Sequence, residues 1–166
     1  MRRAEKLRWL ALAAQREGNR SLAAALRPLG LTPAQSEVLR LLGDHAPLTL
    51  TGLGEMLVCE SGTNPSRLVD RTVELGLVSR TTPDAGDRRQ VILQLTAKGR
   101  SLEKQVRGIE EAMYAGLDGI GMDAELATVI AVLERVVAGH PSGDAIAARV
   151  AREESAPYQP LVGRRH

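Results

Sequence analysis

SRLVDRTVELGLVSRTTPDAGDRRQVILQLTAKG, residues 66–99, is the stretch on which the reading of this chain turns. Leu68, Val69, Thr72 and Leu75 recur at three- and four-residue steps, the inward face of a helix that has Pro65 in its first turn. Gly76 stands where a helix is closed by a left-handed residue. Beyond it the period falls to two. Leu77–Thr81 reads as a short strand, and Gln90–Leu95 alternates, with Val91, Leu93 and Leu95 on one face. Between them Pro83-Asp84-Ala85-Gly86-Asp87 is turn chemistry, so the two strands form a hairpin with a long, charged tip.

Working outward, Thr96 caps a helix over 97–118 that carries Leu102, Val106, Ile109, Met113 and Leu117 on one stripe. Gly119 and Gly121 break it, and Asp123 caps a further helix to about Ala138, ended by Pro141. Val132 widens the apolar face of that helix beyond what one solvated partner face requires. Upstream, Thr49 caps a short helix over 50–58 with Leu53, Met56 and Leu57 inward. Thr32-Pro33-Ala34-Gln35 is a capping box with proline at the first helical position, and Gly43 is the expected stop of that helix. Residues 5–27 form a first helix, loosened near Gly18 and ended by Pro28 and Gly30. A short helix over 144–153 and a basic, proline-containing tail complete the chain.

The fold class is therefore mainly α. A winged helix-turn-helix is flanked by helices whose apolar surface exceeds the needs of one small core. The expected division is 1–30 as an N-terminal dimerisation helix and 31–96 as the winged helix-turn-helix. Residues 97–140 supply C-terminal dimerisation helices, and 141–166 are an extension.

Composition narrows the function. The chain has 166 residues, and 22 basic against 20 acidic side chains leave a net charge of only +2. The balance is uneven along the chain: residues 61–100 hold seven basic and four acidic groups, a local excess of +3 on the segment that carries the helix and hairpin. There is no Phe, one Trp and two Tyr, too few aromatic platforms to bind single strands by base stacking. Its one cysteine, Cys59, excludes an internal disulfide and a Cys-cluster metal site. No apolar run reaches the roughly 18 residues of a membrane span, and the N-terminal apolar stretch is too short and too closely followed by charge for a signal peptide. The cytoplasm is the expected compartment.

In a helix-turn-helix the second helix enters the major groove. Its solvent face here comprises Thr63, Asn64, Ser66, Arg67, Asp70 and Arg71, with Asn64, Arg67 and Arg71 at i, i+3 and i+7. Asn bonds adenine and Arg bonds guanine bidentately, while Ser and Thr reach base edges or phosphates. The same face also reads as an ordinary solvated surface in which Arg67 pairs with Asp70. The hairpin tip favours the first reading. It carries Asp87, Arg88 and Arg89, and an Arg on an extended hairpin is shaped for the negative potential of the minor groove.

Residues 31–102 resemble the MarR-type winged-helix regulators of bacteria, in LTPAQSEVLRLL (31–42), LTLTGLGEML (48–57), SRLVDRTVELGLVSR (66–80) and DRRQVILQLTAKG (87–99). The last fits the wing pattern D-x-R-x-x-x-L-x-L-T at Asp87, Arg89, Leu93, Leu95 and Thr96. The resemblance implies a homodimeric repressor or activator on a pseudo-palindromic double-stranded operator, often responsive to a small ligand or oxidant. It also implies that the first and last two helices interlock across a two-fold axis. By position, Arg67 and Arg71 fall where the family contacts bases and phosphates, and Arg89 falls on the minor-groove arginine with Asp87 as its orienting partner.

Other chemistries find less support. Cys59 has no flanking Lys, Arg or His to lower its pKa, which favours a small core residue over a redox sensor. His45 and His140 lack partners at metal-ligand spacing. No nucleophile motif or phosphate-binding loop occurs, so neither an enzyme nor a cofactor is expected. The alternative from another class is a winged-helix module that binds protein or ligand without DNA. It would place an apolar exposed face where Asn64, Arg67 and Arg71 lie.

Overall fold

The computed structural model describes residues 1–58, 64–82 and 91–155. Among these residues seven α-helices and three strands follow one another: α1 (Arg3–Leu26), α2 (Pro33–His45), β1 (Leu48–Thr49), α3 (Leu50–Gly54), α4 (Pro65–Glu74), β2 (Val78–Thr81), β3 (Ile92–Leu95), α5 (Ala97–Asp118), α6 (Asp123–Val137) and α7 (Pro141–Ser155). The mainly α winged helix-turn-helix expected from the sequence is present.

α2 is the hub. Its start is the expected capping box: Thr32 Oγ1 accepts from the Gln35 N–H at 3.3 Å, and Gln35 Oε1 accepts from the Thr32 N–H at 2.9 Å. From Ala34 to Leu39 every residue is buried, and so are Leu41 and Leu42. Gly43 does not stop the helix, which runs on to His45 ahead of Pro47. A methyl group at Gly43 would lie 2.9 Å from the Glu103 side chain. That glycine is a close-packing position against α5, not a terminator.

α5 lies along α2 and is held to it by charge. Arg40 reaches Glu103 at 2.6 Å, Glu110 at 2.8 Å and Asp44 at 3.1 Å; Arg107 contacts Asp44 and Glu103, each at 2.6 Å. Burial works against the Arg40 charge, but Glu103, Asp44 and Glu110 outweigh it and raise its pKa. Burial pushes the Glu110 carboxyl up, against the opposing pull of Arg40.

The sheet has the order β1-β3-β2, all antiparallel. β1 was not expected; two residues carry no period. Leu48 nevertheless pairs with Leu93 and Thr49 with Ile92, which ties the start of α3 to the hairpin. Leu93 and Leu95 are buried, whereas Val91 lies outside β3 and is exposed. Leu75, expected inward, is also exposed: α4 ends at Glu74, one residue before the helical stripe would have buried it.

α4 closes in a Schellman arrangement. The Leu77 N–H bonds the Thr72 carbonyl at 2.9 Å, the Gly76 N–H bonds the Val73 carbonyl at 2.8 Å, and Gly76 has φ 70°. α5 begins directly against this closure. The Thr96 hydroxyl accepts from the Gly99 N–H at 3.0 Å and donates to the Gly76 carbonyl at 2.7 Å, while the Thr96 N–H bonds the Leu77 carbonyl at 3.0 Å. Gly99 is pressed so closely on Leu77 that a Cβ there would overlap the Leu77 carbonyl oxygen.

The outer helices differ from expectation at their ends. α1 passes through Gly18 without a break, since the cost of one glycine, about 1 kcal/mol, is outweighed by the good helix formers around it. Met122, not Asp123, is the cap of α6; its N–H is satisfied by Glu125 at 3.0 Å. Pro141 opens α7 instead of merely ending α6, and α7 is longer than the 144–153 expected. No residue of α6 is buried; its Val129, Ile130, Leu133 and Val136 are exposed, as are Leu7, Trp9 and Leu10 of α1 and Leu117 of α5. Among the described residues no helix is long and apolar enough to cross a membrane.

Two glycines of α5 make opposite tests of this packing. Gly99→Ala forces backbone apart and should destabilise by about 3 kcal/mol, the upper part of the overpacking range. Gly108, with nothing within 4 Å of an added Cβ, should gain up to about 1 kcal/mol as alanine from helix propensity. Denaturant unfolding of the two variants checks the signs.

Candidate nucleic-acid interface

α4 is presented by its neighbours. Leu68, Val69 and Thr72 are its buried face, and the Thr72 hydroxyl donates to the Val69 carbonyl at 2.7 Å, so this polar side chain enters the core satisfied. At the C-terminal end Lys98 Nζ donates to the Leu75 carbonyl at 2.9 Å. At the N-terminal end Asn64 is the cap, its Oδ1 accepting from the Ser66 N–H at 2.9 Å, and Pro65 occupies the first helical position. The proline therefore defines the start of the helix.

Arg67 and Arg71 are exposed on the outer face, one helical turn apart, and Asn64 is exposed at its head. Ser66 is half-buried, its N–H engaged by the cap. The pairing of Arg67 with Asp70 that would make this an ordinary solvated face is not formed. Asp70 instead binds Arg80 of β2 at 2.6 Å, across to the first strand of the wing. Among the described residues no carboxylate bonds Arg67 or Arg71, so both guanidinium groups keep their donors for an external acceptor.

Asn64, Arg67 and Arg71 thus lie exposed along the outer face of α4, from its cap to its last turn, with half-buried Ser66 in the first turn. Thr63, Cys59 and the wing-tip residues Asp87, Arg88 and Arg89 lie outside the described residues. β2 and β3 are paired in register up to Thr81 opposite Ile92. Sequence reasoning missed Arg80 and Lys98, whose partners Asp70 and Leu75 lie 10 and 23 residues away; nothing in local spacing points to them. Among the described residues no cluster of His, Cys, Asp and Glu is arranged to hold a metal ion.

Known proteins are similar to this chain in sequence and fold. A model of the MarR family matches residues 29–90. The organic hydroperoxide resistance transcriptional regulator of Bacillus subtilis is 31% identical over 105 residues, which span 63% of this chain and 70% of the relative. A crystal structure of a cysteine-to-serine mutant of MarR from E. coli, complexed with operator DNA, superposes with a TM-score of 0.68 at 28% identity, covering 80% of this chain and 94% of that one. The MepR–DNA complex of S. aureus, at 22% identity, shares the fold with a TM-score of 0.71, over 79% of this chain and 95% of its own.

The cap assignment has its own test. Asn64→Ala removes the acceptor for the Ser66 N–H and should cost about 1 kcal/mol of stability, whereas Asn64→Ser keeps a capping oxygen and should stay within a few tenths of a kcal/mol. Equal unfolding midpoints for the two variants would contradict it.

Proposed function

The chain belongs to the MarR family of transcriptional regulators, and on that premise we propose that it binds double-stranded DNA sequence-specifically as a cytoplasmic homodimer. α4 enters the major groove and the wing the minor groove. The observation that carries this reading is the pair of exposed guanidinium groups of Arg67 and Arg71, neither bonded to a carboxylate among the described residues, with Asp70 turned to Arg80 instead of Arg67. In the groove Arg67 takes a guanine edge, Arg71 a base or phosphate, and Asn64 offers its amide donors while its oxygen caps the helix. Ser66 and Thr63 contact backbone or base edges. Arg89 enters the minor groove with Asp87 orienting it and Arg88 on the neighbouring phosphates.

The domain division follows the same logic. Residues 31–96 bind DNA, while 1–30 and 97–140 interlock with a second copy, which covers the open apolar faces of α1, α5 and α6. The residues after 140 form an extension. A cleft of about 1420 Å³ between α1, α2, α4 and α7 suits a small-molecule effector. Arg71 lines it opposite Arg16 and Asn19 of α1, so an occupant would touch a DNA-reading side chain. A protein-binding module without DNA would carry apolar groups at the positions of Asn64, Arg67 and Arg71, and these are polar and charged.

Selection from random duplexes tests the reading. The dimer should recover a pseudo-palindrome with half-sites about 10 bp apart, one helical turn. Arg67→Ala should weaken binding by about 1–3 kcal/mol and relax preference at one position per half-site. Recovery of no preferred sequence would contradict the reading, and a uniform loss on all duplexes would make Arg67 a phosphate contact. Sedimentation should give a dimer at micromolar concentration, with an interface well above roughly 2,000 Å².

A further inference from the structure

The residues after Pro141 exceed what a winged helix needs, and α7 turns back onto the DNA-reading unit instead of trailing from it. Ala145 is buried and Ala148 packs against the core. From the same helix Arg149 crosses to α2 and α3. Its Nε donates to the Met56 carbonyl at 2.7 Å, and its Nη2 ion-pairs with Glu37 of α2. Glu37 Oε1 in turn accepts from the Val58 N–H at 2.8 Å. Two side chains 112 residues apart in sequence therefore grip one carbonyl and one N–H of the backbone that leaves α3.

That backbone begins the turn of the helix-turn-helix, whose residues 59–63 lie outside the described residues. It leads from α3 to Asn64, the cap of the recognition helix. The two helices already touch there, since a Cβ on Gly54 would sit 3.6 Å from the Pro65 ring. Since α3 packs on the start of α4, whatever fixes residues 56–58, directly after α3, against α2 also bears on where α4 begins. The Glu37 side chain is only 9% exposed, so the pair is largely withdrawn from water, and a carboxylate left there without its cation is costly. The chemistry also has a polarity. The carbonyl needs a donor and the N–H an acceptor, so a guanidinium fork that spans a carbonyl and a carboxylate is suited, and the point charge of a lysine is not.

We propose that α7 is a strap on the helix-turn-helix, with Arg149 as a positioning residue for sequence-specific DNA binding that acts through Glu37 and the backbone of Met56 and Val58. α7 follows α6 through Gly139 and His140, so the strap joins the helix with the open apolar face directly to the turn ahead of α4. The proposal rests on the DNA-binding reading, and its test separates the two.

The full-length chain and its Arg149→Ala and Arg149→Lys variants are titrated with a duplex selected by the unsubstituted protein and with random duplex, at fixed salt. Amide exchange at Val58 is followed in parallel. Both variants should lose about tenfold in affinity for the selected duplex, a coupling of ordinary size. Affinity for random duplex should be unchanged, because phosphate contacts alone do not require the helix to be aimed. Val58 exchange should accelerate in both. If Arg149→Ala does not fold, Arg149→Lys carries the test. Full affinity of either folded variant for the selected duplex would overturn the proposal. An equal loss on both duplexes, which a merely structural role predicts, would overturn it as well. Should the unsubstituted protein select no duplex, the DNA-binding reading fails; unchanged Val58 exchange in the variants would then sink the clamp itself, and faster exchange would uphold it.

Discussion

The contact of Gly99 with the Leu77 carbonyl, locked by the Thr96 hydroxyl, is the constraint from which the rest of the arrangement follows. At that point three elements meet within a few residues: the closure of α4 at Gly76, the start of β2 at Val78 and the start of α5 at Ala97. Thr96 satisfies an orphan N–H of α5 with its oxygen and an open carbonyl of the α4 closure with its hydrogen, so one side chain serves two helix ends. The recognition helix is thereby fixed in direction relative to α5. On the proposed reading of α5 as a dimerisation helix, this junction would also set the spacing of two α4 helices across the dimer.

α2 supplies the second half of the frame. Its apolar residues make the core, but its charged residues decide what is bolted to it. Arg40 and Asp44 hold α5, and Glu37 holds α7 and the turn after α3. Such ion pairs add little net stability over apolar packing, yet stripping the cation from the near-buried carboxylates Glu37 and Glu103 costs about 3–5 kcal/mol because each is left uncompensated; the more exposed Arg107–Asp44 pair is worth less. They are better understood as fixing one relative placement of the helices. The apolar contacts of α2 would tolerate a small slide of α5; the bonds from Arg40 to Glu103 and Glu110 of α5 would not.

What the sequence made legible was local. The capping box at Thr32, the caps at Thr49 and Thr96, the left-handed Gly76 and the alternation of Leu93 and Leu95 each depend on neighbours within a few positions, and all are found as read. Several of the misreadings share one cause. Gly43 signals a stop locally, but its role is set by Glu103, sixty positions on. β1 is too short to show a period and exists only because Leu93 and Ile92 pair with it. At the candidate site, the spacing of Asn64, Arg67 and Arg71 identified the face. It could not reveal that Asn64 spends its oxygen as a cap, or that Asp70 turns to Arg80. The pairing of Glu37 with Arg149 has no local signature at all.

The central claim is that a rigidly held α4 reads base edges in the major groove, twice, across a two-fold axis. Methylation interference on a selected duplex measures this most directly, because methylation at guanine N7 blocks the acceptor that an arginine fork requires. The account predicts interference in two major-groove patches about one helical turn apart, related by the duplex's pseudo-dyad, and its disappearance from the guanine facing Arg67 in the Arg67→Ala protein. Binding indifferent to N7 methylation throughout the site would contradict it.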